Sequence, residues 1–134
     1  MKKNELISLK KYSDQKNLIV LHCVSSYPLN YNKFNYEKFN YIKKNFIRFG
    51  YSGHCEGVED AIFALSNGSC AVEKHFTIDK NLSGRDNKFA ILPKELKLIC
   101  DYHNKCMDMR KEHGLELQKE ENEVYLSYRG RWKN

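Results

Sequence analysis

Two histidines follow two consecutive strand-like segments of this 134-residue chain. His54 comes after the segment 47–52, and His75 lies within the segment 70–76, close to its end. A helical segment separates them, so they belong to one βα repeat, in which consecutive parallel strands end at the same edge of the sheet. We expect both imidazoles to point into one pocket, where they can share a divalent metal.

A structural interpretation of these histidines stays open, because a loop histidine is often only hydrogen-bonded to its surroundings. From spacing alone, the two interpretations are equally supported. Two protein ligands would leave coordination positions open for substrate and water, as Lewis-acid catalysis requires. Glu73 shares the strand face of His75 and is a candidate catalytic residue that positions a metal-bound water. Pairing of Glu73 with an interior lysine, or with a charge on a neighbouring strand, is the alternative.

The remaining titratable residues of interest are expected to be structural. His22 lies inside an apolar segment and is predicted to be a core histidine. Lys74 is predicted to point away from the pocket, toward the helices. His103 and His113 lie on or just beyond the last predicted helix, far from the strand ends, and receive no role.

Apolar periodicity predicts alternating helices and strands. Helices are expected over 3–13, 35–46, 56–65 and 94–112, and strands over 18–24, 47–52 and 70–76. The near-continuous apolar run at 18–24 is typical of a strand buried on both faces. Residues 77–92 form a polar, irregular loop before Pro93, which opens the long helix. This order predicts an α/β fold, a partial (β/α) TIM barrel of about three to four parallel strands with crossover helices.

The length and the net charge of the chain limit the classes of protein to which it can belong. The chain fits one domain with a modest core, which we divide into a barrel portion at 1–114 and a charged tail at 115–134 with the single tryptophan, Trp132. The net charge is +6, but the basic residues are dispersed, so nucleic acid is not an expected partner. An anionic small substrate explains this charge equally well. Neither a membrane-spanning run nor a signal-peptide core is evident, so a cytoplasmic location is expected.

Cysteines and aromatic residues are interpreted structurally. The five cysteines lack Cys-x-x-Cys spacing, and Cys23 and Cys70 are expected to be small apolar residues within strands. The aromatic-rich segment 31–41 is expected to serve helix packing, with a platform for a sugar ring as the alternative.

Four ordered motifs carry a family resemblance. They are Ser25-Ser26-Tyr27-Pro28, Ser52-Gly53-His54, Glu73-Lys74-His75-Phe76 and Ser83-Gly84-Arg85-Asp86. With their flanking residues, they resemble the sialic acid synthase family over about residues 3–110. The resemblance implies a TIM-barrel catalytic domain that condenses phosphoenolpyruvate with an N-acetylated amino sugar, such as N-acetylmannosamine. The implied product is a sialic-acid-like nonulosonic acid, with release of phosphate.

The resemblance also implies roles for individual residues. His54 and His75 match two histidines that bind Mn²⁺ or Mg²⁺. Ser25 and Ser52 match residues that contact phosphoenolpyruvate, and Tyr27 and Asp86 match residues that hold the amino sugar. Glu73 matches the glutamate of the family's Glu-Lys-His-Phe motif. In the implied mechanism the metal polarises the sugar aldehyde, and the enol carbon of phosphoenolpyruvate attacks it.

The sequence departs from the family pattern at several points. Family members usually have Ser-Asp-His where this chain has Gly53, and loss of that carboxylate is expected to weaken the orientation of His54. Arg85 stands beside Asp86, where the family has a Pro-Gly-Pro-Asp loop. The first half of the barrel, with a catalytic glutamate and phosphoenolpyruvate-binding lysines, has no counterpart here. The antifreeze-like C-terminal domain has none either.

Three hypotheses follow. The leading one is a C-terminal portion of a nonulosonate synthase barrel that is inactive as an isolated fragment. The second is a non-catalytic half-barrel module that pairs with a separate N-terminal half-barrel or with a second copy, because a half barrel exposes two sheet edges. The third and weakest is a phosphate- or RNA-binding α/β protein.

Overall fold

The computed structural model describes residues 1–131, so Trp132 of the predicted tail lies outside the described residues. The helices are α1 (Lys3–Ser8), α2 (Tyr36–Asn45), α3 (Glu59–Ser66), α4 (Pro93–Met109) and α5 (Asn122–Tyr128). The strands are β1 (Val20–Cys23), β2 (Phe49–Gly53) and β3 (Val72–Lys74). Short 3-10 turns occupy Leu9–Tyr12, Tyr31–Lys33 and Lys119–Glu121. No helix within residues 1–131 has both the length and the apolar character needed to cross a bilayer.

The three strands form one open parallel sheet in the order β1-β2-β3. In the register of the central strand, Leu21 of β1 is aligned with Gly50, and Glu73 of β3 is aligned with Ser52. The chain returns between strands through α2 and α3, so all three strands end at the same edge. The residues that follow β2 and β3 are therefore neighbours, as the sequence predicts.

The core lies between the sheet and the helices packed on one of its faces. One cluster of buried apolar side chains comprises Leu6, Phe39, Ile42, Phe46, Phe49, Tyr51 and Ala64. A second comprises Val58, Ala61, Leu65, Ile91 and Ile99. The spacing of Phe39, Ile42 and Phe46 puts one stripe of α2 and its C-terminal cap against the sheet.

Three sequence-based expectations about burial are wrong. β1 is not buried on both faces, because it is an edge strand whose Leu21 is half-buried and whose Cys23 is exposed. Cys70 is also exposed, since it precedes β3 in a turn. The loop 77–92 is not polar throughout: its final part, 89–91, is buried, and Ile91 bridges Phe76 in a parallel pairing beyond β3.

The C-terminal segment follows α4 as an exposed extension. Every residue from 107 to 131 is exposed, and α5 packs on the 3-10 turn Lys119–Glu121 that precedes it. The proposed division of the chain between residues 114 and 115 stays a prediction.

His22 is a fully buried core histidine, as the sequence predicts. Its Nε2–H donates to the carbonyl oxygen of Phe34 at 2.6 Å, and its ring packs 6.0 Å from that of Tyr51. Nδ1 has no hydrogen-bond partner within residues 1–131, so a proton there would be a buried, unpaired donor. Burial lowers the pKa of His22 below its ordinary 6.5, more than the Phe34 bond raises it, and the ring is neutral at pH 7.

We expect acid to destabilise the fold through this residue. Below about pH 6.5 the unfolded chain binds a proton at His22 that the folded chain does not, so the free energy of unfolding falls as pH drops. Urea unfolding at pH 7.5 and 5.5 measures the difference. His22→Gln should reduce the loss on acidification, although the variant is less stable at both pH values.

His113→Gln is the matched control, because His113 is exposed. It should leave the acid-induced loss unchanged. An equal loss in the wild type and in His22→Gln would contradict this account of the buried histidine.

Candidate metal and substrate site

The structure brings His54 and His75 together at the ends of β2 and β3. Their ring centroids are 5.3 Å apart, with 54° between the ring planes. With metal–nitrogen bonds of about 2 Å, two imidazoles on one cation have centroids roughly 5–6 Å apart. The observed separation is therefore one that a single ion can bridge.

The hydrogen bond of His54 fixes its tautomer. Nδ1 lies 3.1 Å from the carbonyl oxygen of Val24, which can only accept, so Nδ1 carries the proton. Burial lowers the pKa of His54, and the nearby charges of His75 and Lys74 lower it further, against the Val24 bond that raises it. The ring is neutral at pH 7, and the lone pair on Nε2 is free to bind a ligand.

Tyr27 and Asp86 lie beside this pair of histidines. The Tyr27 ring stands 4.3 Å from that of His54 and 5.9 Å from that of His75. An Asp86 carboxylate oxygen lies 3.7 Å from His75 Nδ1, beyond hydrogen-bond distance. Tyr27 and Asp86 line a cavity of about 240 Å³ together with Arg85 and a further aromatic residue.

That aromatic residue is Phe89, which the sequence analysis missed. Its ring is buried and lies 5.1 Å from that of His75. The available signal was the apolar run 89–92 just before Pro93, inside a loop that the sequence analysis treated as polar.

Ser52, which is buried, and Glu73 form a second group on the face of the sheet opposite the one that Lys74 and Tyr51 share with α3. The Ser52 hydroxyl donates to a Glu73 carboxylate oxygen at 2.6 Å across the strand pair. Glu73 is exposed and bound to a hydroxyl, so the alternative of a buried carboxylate paired with a charge is wrong. Ser25 stands apart: it is exposed after β1 and lines a separate recess of about 160 Å³ beside Leu6.

His54 and His75 are the two side chains that this site offers a metal. Within residues 1–131, no group of three or more His, Cys, Asp or Glu side chains is arranged to hold an ion. Further coordination positions would be filled by water, substrate or another part of a protein. Neutral imidazole is a suitable donor for a divalent transition metal, so the residues present fit such an ion.

A buried ion pair beneath the site ties the two strand ends together. The Lys74 ammonium lies 2.9 and 3.1 Å from the two Asp60 carboxylate oxygens and 2.7 Å from the Cys55 carbonyl oxygen. The side chains of Lys74 and Asp60 are 4% and 0% exposed. Lys74 precedes His75, and Cys55 follows His54. The same ammonium therefore holds both histidine-bearing segments, and it points toward the helices, as predicted.

Gly53 is required by this ion pair. A Cβ at position 53 would lie 2.6 Å from an Asp60 carboxylate oxygen and 2.9 Å from Cδ of Lys74. Relatives carry a carboxylate at position 53 itself, according to the family pattern; here the carboxylate of Asp60, from α3, occupies the space beside Gly53. Asp60 was not predicted as a site residue, although it stands as an acidic residue at the start of a largely apolar helix.

Comparison with known proteins identifies the family. The model described as the NeuB family matches residues 3–114. This chain belongs to the NeuB family. The family predicted from the four motifs is therefore confirmed.

Several NeuB-type proteins resemble the chain over most of its length. The N,N'-diacetyllegionaminic acid synthase of Campylobacter jejuni is 39% identical over 92 residues, which are 68% of this chain and 28% of the relative. The N-acetylneuraminate-9-phosphate synthase of Drosophila melanogaster is 32% identical over 96 residues, 70% of this chain and 26% of the relative. The crystal structure of N-acetylneuraminic acid (sialic acid) synthetase from Leptospira borgpetersenii, in complex with citrate, aligns with a TM-score of 0.69 and 34% identity, over 86% of this chain and 41% of that one.

These alignments establish the fold as part of a TIM barrel, as the sequence predicts. The chain spans about a quarter of the length of these two curated relatives. Its three strands form an open parallel sheet that corresponds to a portion of the NeuB barrel.

We expect the buried ion pair to dominate the stability of this region. Asp60→Ala should lower the free energy of unfolding by about 3–5 kcal/mol, because it leaves the Lys74 ammonium buried without its counter-charge. The double variant Asp60→Ala/Lys74→Met should recover most of that loss, since no unpaired charge remains. Chemical denaturation of the three proteins gives both values.

The control is Asp101→Asn, which breaks an exposed pair with Lys97 on α4. It should leave the stability close to that of the wild type. If the double variant were no more stable than Asp60→Ala, the destabilisation would not come from an unpaired charge.

Proposed function

We propose that this chain carries part of the active site of a nonulosonic acid synthase that condenses phosphoenolpyruvate with an N-acetylated amino sugar. The observation that carries the proposal is the pair of imidazoles 5.3 Å apart, beside the cavity that Tyr27 and Asp86 line. Relatives named as legionaminic acid and N-acetylneuraminate-9-phosphate synthases support this class of product.

In this proposal, His54 and His75 bind a divalent cation, manganese or magnesium. The free Nε2 of His54, kept neutral by burial, supports the assignment. When bound, such an ion acts as a Lewis acid toward a carbonyl oxygen.

The amino sugar is proposed to lie in the cavity beside His54. Asp86 presents carboxylate oxygens that can accept hydrogen bonds from sugar hydroxyls, and the ring of Tyr27 forms a wall against the two histidines. Phe89 lines the same cavity with a buried ring that packs against His75. Held in this way, the sugar would present its carbonyl carbon in a fixed orientation to the second substrate.

Phosphoenolpyruvate is proposed to bind on the same sheet face as Glu73, next to Ser52. The Ser52 hydroxyl now donates to Glu73, and its oxygen has further capacity to accept. Glu73 is exposed and can hold a water molecule or a proton next to the reacting groups, which is the catalytic role we propose for it. Ser25, at the same edge of the sheet, is proposed as a further contact to phosphoenolpyruvate.

A non-catalytic pairing role is the second candidate, and the open sheet favours it. Within residues 1–131, β1 and β3 each pair with a strand on one side only. A groove of about 790 Å³ runs between β3 and α4, with Phe76 and Leu96 among its apolar lining residues. We propose that further barrel strands cover this groove, from the same protein, from a separate N-terminal half-barrel chain or from a second copy.

Metal binding tests the proposed role of the two histidines. Titration of the chain with Mn²⁺, followed by calorimetry or electron paramagnetic resonance, should show binding to one site. His54→Gln and His75→Gln should each weaken it by at least the roughly 10–100-fold that follows loss of a group supporting a ligand.

His103→Gln is the control, because His103 lies on α4 away from the strand ends, and it should bind Mn²⁺ like the wild type. Equal affinities for Mn²⁺ in all four proteins would rule out the proposed metal site and, with it, the proposed mechanism.

A synthase assay distinguishes the two candidate functions. We expect the purified chain alone, with Mn²⁺, to release no phosphate from phosphoenolpyruvate and N-acetylmannosamine, because it offers one sheet of three strands. Co-expression with the N-terminal part of the C. jejuni relative should restore phosphate release, and His75→Gln in the same complex should abolish it.

Release of phosphate by the purified chain alone would contradict the need for further strands. A stable complex with the N-terminal part but without turnover would favour the non-catalytic pairing role.

A further inference from the structure

We propose that a second cavity of this protein, outside the histidine site, binds a small quaternary ammonium compound. The cavity has a volume of about 390 Å³. It is lined by Tyr31, Phe34, Tyr36, Glu59, Asp60 and Phe63, and we call it the aromatic pocket. It lies where the turn Tyr31–Lys33 meets the starts of α2 and α3. None of its lining residues belongs to the cavity beside Tyr27 and Asp86.

Packing does not account for the aromatic side chains at the mouth of this pocket. Tyr31, Tyr36 and Phe63 are 52%, 52% and 43% exposed. Phe34 forms the inner wall, with its ring 5.3 Å from that of Phe63 at 84°. The ring of Tyr36 lies 5.9 Å from that of Phe63 at 68°. Aromatic rings grouped at a solvent-exposed opening are typical of sites that hold an apolar or cationic group.

The pocket also contains a negative charge. The Tyr31 hydroxyl lies 2.8 Å from Oε2 of Glu59 and 2.6 Å from the Glu56 carbonyl oxygen, and the Val58 N–H donates to Oε2 at 3.0 Å. These hydrogen bonds, that of Tyr31 above all, lower the pKa of Glu59, so its carboxylate is ionised at pH 7. Both of these side-chain and backbone contacts of Glu59 are made by Oε2, so Oε1 is the carboxylate oxygen that a ligand can contact.

The second carboxylate of the pocket is already satisfied. Asp60 accepts from the Lys74 ammonium through both oxygens, from the Tyr51 hydroxyl and from the Ala61 N–H. The pocket therefore offers a ligand the charge of Glu59, its acceptor oxygen Oε1 and a lining that is otherwise largely ring carbon.

The composition of the pocket lining favours one class of cation over others. A primary ammonium has three N–H donors and a guanidinium has five, and the donors that Glu59 does not bind would have to keep their water, which reduces their contact with the rings. A quaternary ammonium has no donor, and its methyl groups favour contact with aromatic faces while its charge faces the carboxylate. A neutral ligand of the same shape would gain no electrostatic attraction from Glu59 or from the ring faces.

A matched pair of probes tests the proposal on the full 134-residue chain. Choline and 3,3-dimethyl-1-butanol have nearly the same shape and hydroxyl group, but only choline is charged. By NMR titration, choline should bind at least about tenfold more tightly than the neutral alcohol. Glu59→Gln should abolish that preference. Glu56→Gln removes the same charge from the preceding loop, outside the lining, and should preserve it.

Two further variants test whether an aromatic ring contributes to choline binding and whether this binding is independent of the histidine site. Phe63→Leu keeps an apolar wall but removes a ring, so it should weaken choline binding and leave the neutral alcohol unchanged. His75→Gln should bind choline like the wild type, so failure of the proposed synthase function would not affect this result. Equal affinity for both probes, no binding of choline at 50 mM, or tighter binding of propylguanidine would each overturn the proposal.

Discussion

The buried ion pair between Lys74 and Asp60 is the constraint on which the candidate site depends. Burying two charges is costly unless their hydrogen-bonding groups are used. Here the ammonium has both Asp60 oxygens and the Cys55 carbonyl as partners, and the carboxylate also accepts from the Tyr51 hydroxyl. Because Lys74 adjoins His75 and Cys55 adjoins the other histidine, the spacing of the imidazoles is set by groups outside the site.

Because side chains alternate along a strand, the residues that stabilise this sheet and the candidate reactive residues lie on opposite faces. Lys74 and Tyr51 face the helices, where they meet Asp60. Glu73 and Ser52, one residue away on the same strands, face the opposite side of the sheet and bond to each other. The helix-facing residues hold the strand ends in place, and on the other face Glu73 is exposed while Ser52 is buried beneath it. A shift of either strand by one residue would exchange the two roles.

The helix-facing network also extends to the aromatic pocket, since Asp60 belongs to both. Its carboxylate is saturated by Lys74 and its neighbours, so Glu59 remains as the charge that a ligand can meet. Two adjacent acidic residues at the start of α3 thus have different surroundings, because Asp60 faces the sheet and Glu59 faces solvent. The histidine site and the aromatic pocket are thereby supported by one set of contacts while keeping separate linings.

Local patterns in the sequence determined the order of helices and strands as far as α4, the parallel sheet, the burial of His22 and the meeting of the two motif histidines, because each follows from side-chain periodicity or strand direction. The short helix α5 was not predicted. The tertiary structure alone decided the contacts between distant segments. Asp60 meets position 53, Ser52 meets Glu73, and Phe89 packs beside His75. Such contacts depend on strand register and helix placement, which residue spacing along the chain does not encode. The exposure of β1 likewise depends on which other segments pack against it. Its apolar sequence predicted burial on both faces, but as an edge strand it is only partly covered.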